Sequence, residues 1–329
     1  MSYRPRIGVI GCGYWGKNHV RTFSRLNALA MVCDPDPTTE TIAREIASGV
    51  PFTTDVNDIL HSDVDGVVIA SPAETHADLC QKALQAGKDV LCEKPLALRL
   101  DDAKRSAYLA AEHSRILMTG HLLEYHPGVV KLRELIESGV LGKVQYIYSN
   151  RLSLGIIRRE ENILWSFAPH DISLILRFVG DMPFQVICSG GAYLQPNIAD
   201  MTVMQMVFAT GIAAHIFVSW LHPFKEQRLV VVGSERIAAF NDVAKELIVW
   251  DLKLRRDGRQ TVPEKADGQK VPFPPTEPLL CECQAFLDAI RSRQQPLTGP
   301  ESAINVLRIL HAAQRSLITH GQPVMLPLE

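Results

Sequence analysis

Arg6-Ile7-Gly8-Val9-Ile10-Gly11-Cys12-Gly13-Tyr14-Trp15-Gly16 is the stretch that decides the fold. An apolar run feeds a Gly-x-Gly-x-x-Gly turn, and a helical pattern follows through Leu26, with Val20, Phe23 and Leu26 on one face. Each glycine has a physical task in a dinucleotide site. Gly11 permits the tight turn off the strand, Gly13 lets a pyrophosphate approach the backbone, and Gly16 lets the helix pack closely on the sheet. The helix start then presents unpaired N–H groups and partial positive charge to the phosphates. Gly11, Cys12, Gly13, Tyr14, Trp15 and Gly16 are therefore candidate cofactor contacts. A second apolar segment ends at Asp34, at about the 20-residue spacing where an acid meets the adenosine ribose diol. That carboxylate would repel a 2′-phosphate, and no arginine follows it directly, so NAD is expected rather than NADP. The competing explanation of Asp34 is a turn-forming aspartate before Pro35.

Downstream the pattern repeats. Val64 to Ala70 is an unbroken β-branched run, the mark of a parallel strand buried on both faces. It ends in Ser71-Pro72, and Thr75 to Ala86 reads as a helix closed by Gly87. Val90-Leu91-Cys92 leads into Glu93-Lys94-Pro95, and Ile116 to Thr119 is a further strand. Alternating strands and helices predict a parallel sheet with right-handed crossovers over 1–120. Over 121–329 the pattern changes. A strand is expected over 144–154 and a helix within 167–178. Strand-like runs with short connections follow at 185–194, 201–209, 211–220, 227–233, 236–241 and 246–251. They predict a large, mainly antiparallel open sheet. The polar segment 255–278 reads as irregular, and 278–291 and 302–319 as closing helices. The fold class is α/β, with two domains as the 329-residue length suggests.

Bulk properties narrow the function. The net charge is −2 with no basic run, which argues against a nucleic-acid partner. No apolar run reaches the roughly 18 residues of a membrane span, and the early first strand leaves no room for a signal peptide. The seven cysteines are odd in number and form no CxxC pair, as expected of reduced thiols in a cytoplasmic protein without a metal site.

Ligands of open α/β sheets bind beyond the carboxyl ends of the strands, which singles out Ser71-Pro72 and Glu93-Lys94. Lys94 could hydrogen-bond a substrate hydroxyl, or simply pair with Glu93 in solvent. His170, after Trp165-Ser166-Phe167-Ala168-Pro169 and ahead of the expected helix, could act as a general base or as a capping or core histidine.

Four segments resemble the Gfo/Idh/MocA family of nicotinamide-dependent sugar and polyol oxidoreductases: Ile7 to Gly16, Val67 to His76, Ala86 to Leu96, and the His170-Asp171 pair. The resemblance implies a Rossmann domain followed by an α/β domain whose open sheet supports a homodimer or homotetramer. It implies that Lys94 and His170 are catalytic and that Ser71, Pro72, His76 and Glu93 line the cofactor. Many members carry an aspartate where this chain has Ser166, which leaves the proton work to His170 with Lys94. The Gly13-Tyr14-Trp15-Gly16-Lys17-Asn18 segment and Trp165-x-x-x-Pro169-His170-Asp171 are similar to the subgroup acting on nucleotide-linked sugars. Such members oxidise the C3 hydroxyl of UDP-N-acetylglucosamine, or of its glucuronate form, before a PLP aminotransferase acts. By that likeness Asn150, Arg151, Arg158, Arg159 and Trp165 are candidate substrate contacts, because arginines suit a diphosphate. An inositol or free-sugar dehydrogenase and a non-catalytic NAD-binding regulator are the rival readings.

Overall fold

The computed structural model describes residues 3–257, 260–264 and 266–327. The chain divides into two compact units. One comprises Met1–Tyr125 with Thr276–Leu307, the other His126–Pro275 with Arg308–Glu329.

In the first unit, β1 (Ile7–Ile10), β2 (Leu29–Cys33), β3 (Phe52–Thr53), β4 (Gly66–Ile69), β5 (Asp89–Cys92) and β6 (Leu117–Thr119) form one parallel sheet in the order β3-β2-β1-β4-β5-β6. The crossovers are α1 (Gly16–Arg25), α2 (Thr39–Ile46), α3 (Val56–Leu60), α4 (Ala73–Gln85) and α5 (Leu100–Glu112). Every residue of β1, β4 and β5 is buried. That accounts for their unbroken apolar runs, since helices cover both faces of such a sheet. The strand order reverses between β1 and β4, which opens the crevice where ligands of this fold bind.

The second unit contains α6 (Pro127–Glu137), β7 (Val144–Leu152), α7 (Ile163–Val179), β8 (Gln185–Gly191), β9 (Met201–Val207), β10 (Ala213–Ser219), β11 (Glu226–Gly233), β12 (Arg236–Asn241) and β13 (Glu246–Asp251). Next come β14 (Lys253–Asp257), β15 (Gln260–Glu264) and β16 (Gln269–Lys270). After α8 (Pro278–Ser292) and α9 (Pro300–Ile318), β17 (Val324–Met325) is the last described element. Nine strands make one sheet in the order β16-β13-β12-β11-β7-β10-β9-β8-β17. It is antiparallel except between β7 and β10. Side chains alternate along β9 between buried and solvated, as a sheet covered on one face requires. On that covered face α7 packs across β7, β9 and β10. On the other, Tyr148 stacks on His215 with ring centroids 5.3 Å apart, and Tyr146 hydrogen-bonds the same histidine.

Three expectations need correction. The segment after 252 is not wholly irregular, because β14 and β15 pair as a hairpin and β16 joins the large sheet. Residues 258, 259 and 265 of that segment lie outside the described ones. The helix expected within 167–178 begins earlier, at Ile163. Asn162 caps it, its side-chain oxygen accepting from the Trp165 N–H at 3.3 Å. Pro169 therefore lies inside the helix, and His170 follows it instead of preceding the helix start. Finally, a single boundary at 120 treats the chain as two consecutive pieces, whereas 276–307 returns to the first unit. The reason is apolar: Leu279, Cys283, Phe286, Leu287 and Ile290 of α8 share a core cluster with Ile7, Val9, Val20, Phe23 and Leu91.

Candidate functional site

The glycine turn has the shape a dinucleotide requires. Gly11 sits at φ +97°, and a Cβ there would lie 2.7 Å from the backbone of Ala70. A Cβ on Gly16 would overlap the Gly11 carbonyl oxygen, so only glycine allows α1 to start this close to the strand. A Cβ on Gly13 would meet nothing within 4 Å, so that backbone faces open space. Trp15 occupies the N-cap position of α1 and makes no side-chain capping bond among the described residues. The first-turn amides thus lack a side-chain acceptor from that position, as an anion site needs.

Asp34 closes the turn from β2. One carboxylate oxygen accepts from the Cys12 N–H at 2.6 Å, the other from the Asp36 N–H at 2.9 Å. The turn-forming explanation of Asp34 therefore holds, and the same carboxylate also reaches the glycine turn. A carboxylate has about four acceptor positions, so capacity for a ribose diol remains after these two bonds. The fit to NAD is good on both counts: an open Gly13 backbone and an acid beside it.

Ser71, Pro72, His76, Glu93 and Lys94 follow the ends of β4 and β5, on the same carboxyl edge of the sheet. Ser71 shares a 2.7 Å hydroxyl contact with Thr75. Pro72 takes the N-cap position of α4. His76 is 1% exposed, and its ring nitrogens face the carbonyls of Pro95 at 2.7 Å and Ser71 at 2.9 Å. It ties the two strand-end loops together, a buried task unlike the cofactor lining its resemblance implies. The Lys94–Pro95 peptide is cis, and Lys94 is half-buried.

Glu93 gathers the most contacts. Its carboxylate accepts from the Trp15 indole N–H at 2.6 Å and faces His19 Nε2 at 2.8 Å, while the Lys94 N–H reaches its other oxygen at 3.3 Å. Burial opposes its charge, yet the bonds from His19 and Trp15 and the nearby Lys94 ammonium hold its pKa below the usual value. Trp15 is 37% exposed and Tyr14 71% exposed, within reach of a ligand on the turn. The sequence reading missed His19. Its signal was there: Trp15 and His19 are four residues apart at a helix start, hence on one face.

In the second unit, His170 is half-buried on α7. Its neighbour Asp171 is 1% exposed and accepts from Ser149 Oγ at 2.6 Å and from Arg151 Nε and Nη2 at 2.8 and 3.1 Å. Burial alone would weaken the Arg151 charge, but Asp171 more than compensates and raises its pKa. Arg151 thus anchors β7 to α7, and its fork is already occupied. Asn150 donates to Glu226 at 2.9 Å. Successive strand residues point to opposite faces, and Asn150 and Arg151 accordingly bond partners on different sides of β7. Arg158 pairs with Glu161 at 3.3 Å and stays half-exposed, and Arg159 beside it is exposed, so both remain accessible to an anion. Trp165 donates its indole N–H to Gln314 at 3.1 Å and meets His311 edge-on. Ser166, in place of the family aspartate, is 5% exposed.

Comparisons with known proteins speak to the family and the fold. Residues 5–121 match the family model described as "Oxidoreductase family, NAD-binding Rossmann fold". Residues 129–239 match the GFO/IDH/MocA C-terminal domain. An uncharacterized oxidoreductase of Streptococcus pneumoniae serotype 4 is 30% identical over 200 residues, covering 56% of this chain but only 53% of that relative. UDP-N-acetylglucosamine 3-dehydrogenase of Acidithiobacillus ferrooxidans is 27% identical over 88% of this chain and 90% of its own length. A solved structure of that enzyme shares the fold with a TM-score of 0.87, at 24% identity over 97% of this chain and 99% of that one. Inositol 2-dehydrogenase 2 of Paenarthrobacter aurescens is 26% identical over 96% of this chain and 97% of its own. With an NAD-type glycine turn, a sheet of Rossmann order and both family domains in sequence, the chain belongs to the Gfo/Idh/MocA family of NAD-binding oxidoreductases.

Proposed function

We propose that this protein is an NAD-dependent dehydrogenase that oxidises the C3 hydroxyl of a UDP-N-acetylglucosamine-type sugar to the 3-keto sugar. The observation that carries the dehydrogenase part is the convergence of the glycine turn, Asp34 and Glu93-Lys94 on one edge of the sheet. The substrate part is supported by similarity to UDP-N-acetylglucosamine 3-dehydrogenase over most of both chains. NAD, when bound, supplies the hydride acceptor. Oxidation of a secondary alcohol also needs a proton acceptor and a donor that steadies the charge growing on oxygen. The proposal assigns the first task to His170 and the second to the Lys94 ammonium. Asp34 holds the ribose and the α1 start holds the pyrophosphate. A PLP aminotransferase using the ketone, as in lipopolysaccharide or other amino-sugar synthesis, completes the reading. So does assembly through the large sheet as a dimer or tetramer, which sedimentation of the purified protein tests.

A second reading, an inositol dehydrogenase, is favoured by full-length similarity at 26% identity. It also gains from the engagement of Arg151 by Asp171, which leaves fewer cations for a diphosphate.

One experiment separates them. NADH absorbance is followed with UDP-N-acetylglucosamine, its glucuronate and myo-inositol in parallel, with and without an aminotransferase and glutamate to pull the equilibrium. Signal with one UDP-sugar alone is expected, and signal with inositol alone overturns the nucleotide-sugar reading. Lys94→Ala and His170→Ala should each lower turnover by roughly a hundredfold or more while NAD still binds. Near-normal turnover in either variant removes that residue from the mechanism.

A further inference from the structure

We propose that Trp15 and Glu93 form one positioning device for Lys94, in which the glycine turn holds the strand-end loop by a side-chain strap. The proposal rests on the reading that Lys94 works at the reacting hydroxyl. Trp15 lies in the turn and Glu93 follows β5, 78 residues further along the chain, so the strap joins two loops with no backbone hydrogen bond between them among the described residues. The indole N–H meets a charged acceptor at 2.6 Å, and bonds to charged acceptors are shorter and stronger than neutral ones. The same carboxylate reaches the backbone N–H of Lys94 through its second oxygen. A shift of Glu93 is therefore a shift of the Lys94 backbone.

Two further supports fix the carboxylate. Behind it lies Gly120, where even a Cβ would stand 3.0 Å from the carboxyl carbon. Beside it, His19 is 0% exposed and bonded at Nε2, while its Nδ1 faces the Cys283 thiol at 3.7 Å. Burial pushes the Cys283 thiol well up, so it keeps its proton beside His19 Nδ1. The order thiol, imidazole, carboxylate is that of a nucleophile with its base. Here the thiol is fully buried, so the chain transmits position and not reactivity. Trp15 needs such a strap because its ring is 37% exposed and would otherwise sample several rotamers.

The test reads Lys94 directly. The full-length protein at saturating NAD is treated with an amine-acylating reagent, and the modification rate at Lys94 is followed by mass spectrometry. Wild type, Trp15→Phe, Glu93→Gln and the double variant are compared. Each single variant should raise the rate severalfold, since Trp15→Phe removes the indole bond and Glu93→Gln puts an amide donor where the oxygen facing the Lys94 N–H stood. The double variant should go no further than Glu93→Gln alone, because the strap reaches Lys94 only through Glu93. An unchanged rate in Trp15→Phe overturns the proposal, and so do effects that multiply in the double variant. If Glu93→Gln fails to fold, Trp15→Phe alone decides. Labelling needs no sugar, so its outcome stands even where the substrate reading fails. Where UDP-N-acetylglucosamine is turned over, kcat should fall about tenfold in either single variant, the scale of a misplaced group, with KM for the sugar little changed. A Lys94→Ala enzyme at full turnover would sink the catalytic reading and leave the labelling result intact.

Discussion

Gly13 and Gly16 look alike in the sequence, yet they fail differently when a methyl group is added. A Cβ on Gly16 collides with the Gly11 carbonyl, so Gly16→Ala should destabilise the first unit by about 1–3 kcal/mol, the usual cost of overpacking. A Cβ on Gly13 has open space, so Gly13→Ala should melt like wild type. It should bind NAD at least about tenfold more weakly, because the methyl group stands where the pyrophosphate approaches. Calorimetric melts and NAD titrations of both variants check this, and normal NAD affinity in Gly13→Ala would sink it. Glu282 on α8 makes a second case. It is fully buried, and neither carboxylate oxygen has a hydrogen-bond partner among the described residues. Burial first, and the Glu93 charge second, push its pKa well above the usual carboxylate range. A carboxyl with a raised folded pKa contributes stability that is fully present below its unfolded pKa of about 4.3. That contribution is lost as pH climbs toward the folded value. Glu282→Gln has no proton to lose, so its Tm relative to wild type should improve between about pH 5 and pH 8. An equal difference at both pH values overturns the assignment. The glycines, Asp34 and Lys94 were legible in the sequence because their spacing from strand ends is local. The ties of Glu93 to His19 and of Arg151 to Asp171 were not, since each joins elements whose register only folding sets.

At the scale of elements, α7 shows why a local rule misplaced a boundary. Proline is most at home in the first helical turn, and Pro169 before His170 suggested a start there. The structure places Pro169 deep in the helix, where it cannot donate to the Trp165 carbonyl one turn earlier. Burial of Ile163, Leu164 and Ala168 ahead of it holds the helix together regardless. Period-two alternation along β7 was visible, but not which face α7 would cover. That choice set Arg151 against Asp171, tying β7 to α7. Replacing it tests the new role. Arg151→Met removes the guanidinium from Asp171, which is buried at 1% exposure and keeps its bond from Ser149. Loss of one partner from a buried pair costs roughly 3–5 kcal/mol. The variant should therefore melt some ten degrees lower, at roughly 2–4 °C per kcal/mol for a unit this size. A melt within a degree or two of wild type, with sugar binding lost, would return Arg151 to the substrate.

For the molecule as a whole, the return of 276–307 to the first unit matters most, because the alternating βα pattern ends at β6 and gives no hint of it. Helix α8 alone reads as one more amphipathic segment. Its partner becomes visible only where Phe286 and Ile290 come within van der Waals reach of a Cβ built on Gly66. Arg293 then closes the segment with two bonds to Asp89, at 2.7 and 3.1 Å, and one to the Ser114 carbonyl. Burying Leu279, Phe286, Leu287 and Ile290 is worth about 1.5–3 kcal/mol each, comparable in sum to the whole stability of a typical domain of about 5–15 kcal/mol. A fragment ending at Tyr125 would expose the apolar surface these side chains cover and leave the buried Asp89 without its guanidinium. Residues 1–125 alone should therefore show no cooperative melt and bind NAD weakly. The same fragment joined by a flexible linker to 276–307 should regain both. If residues 1–125 melt cooperatively by themselves, α8 is a passenger on a self-sufficient Rossmann unit.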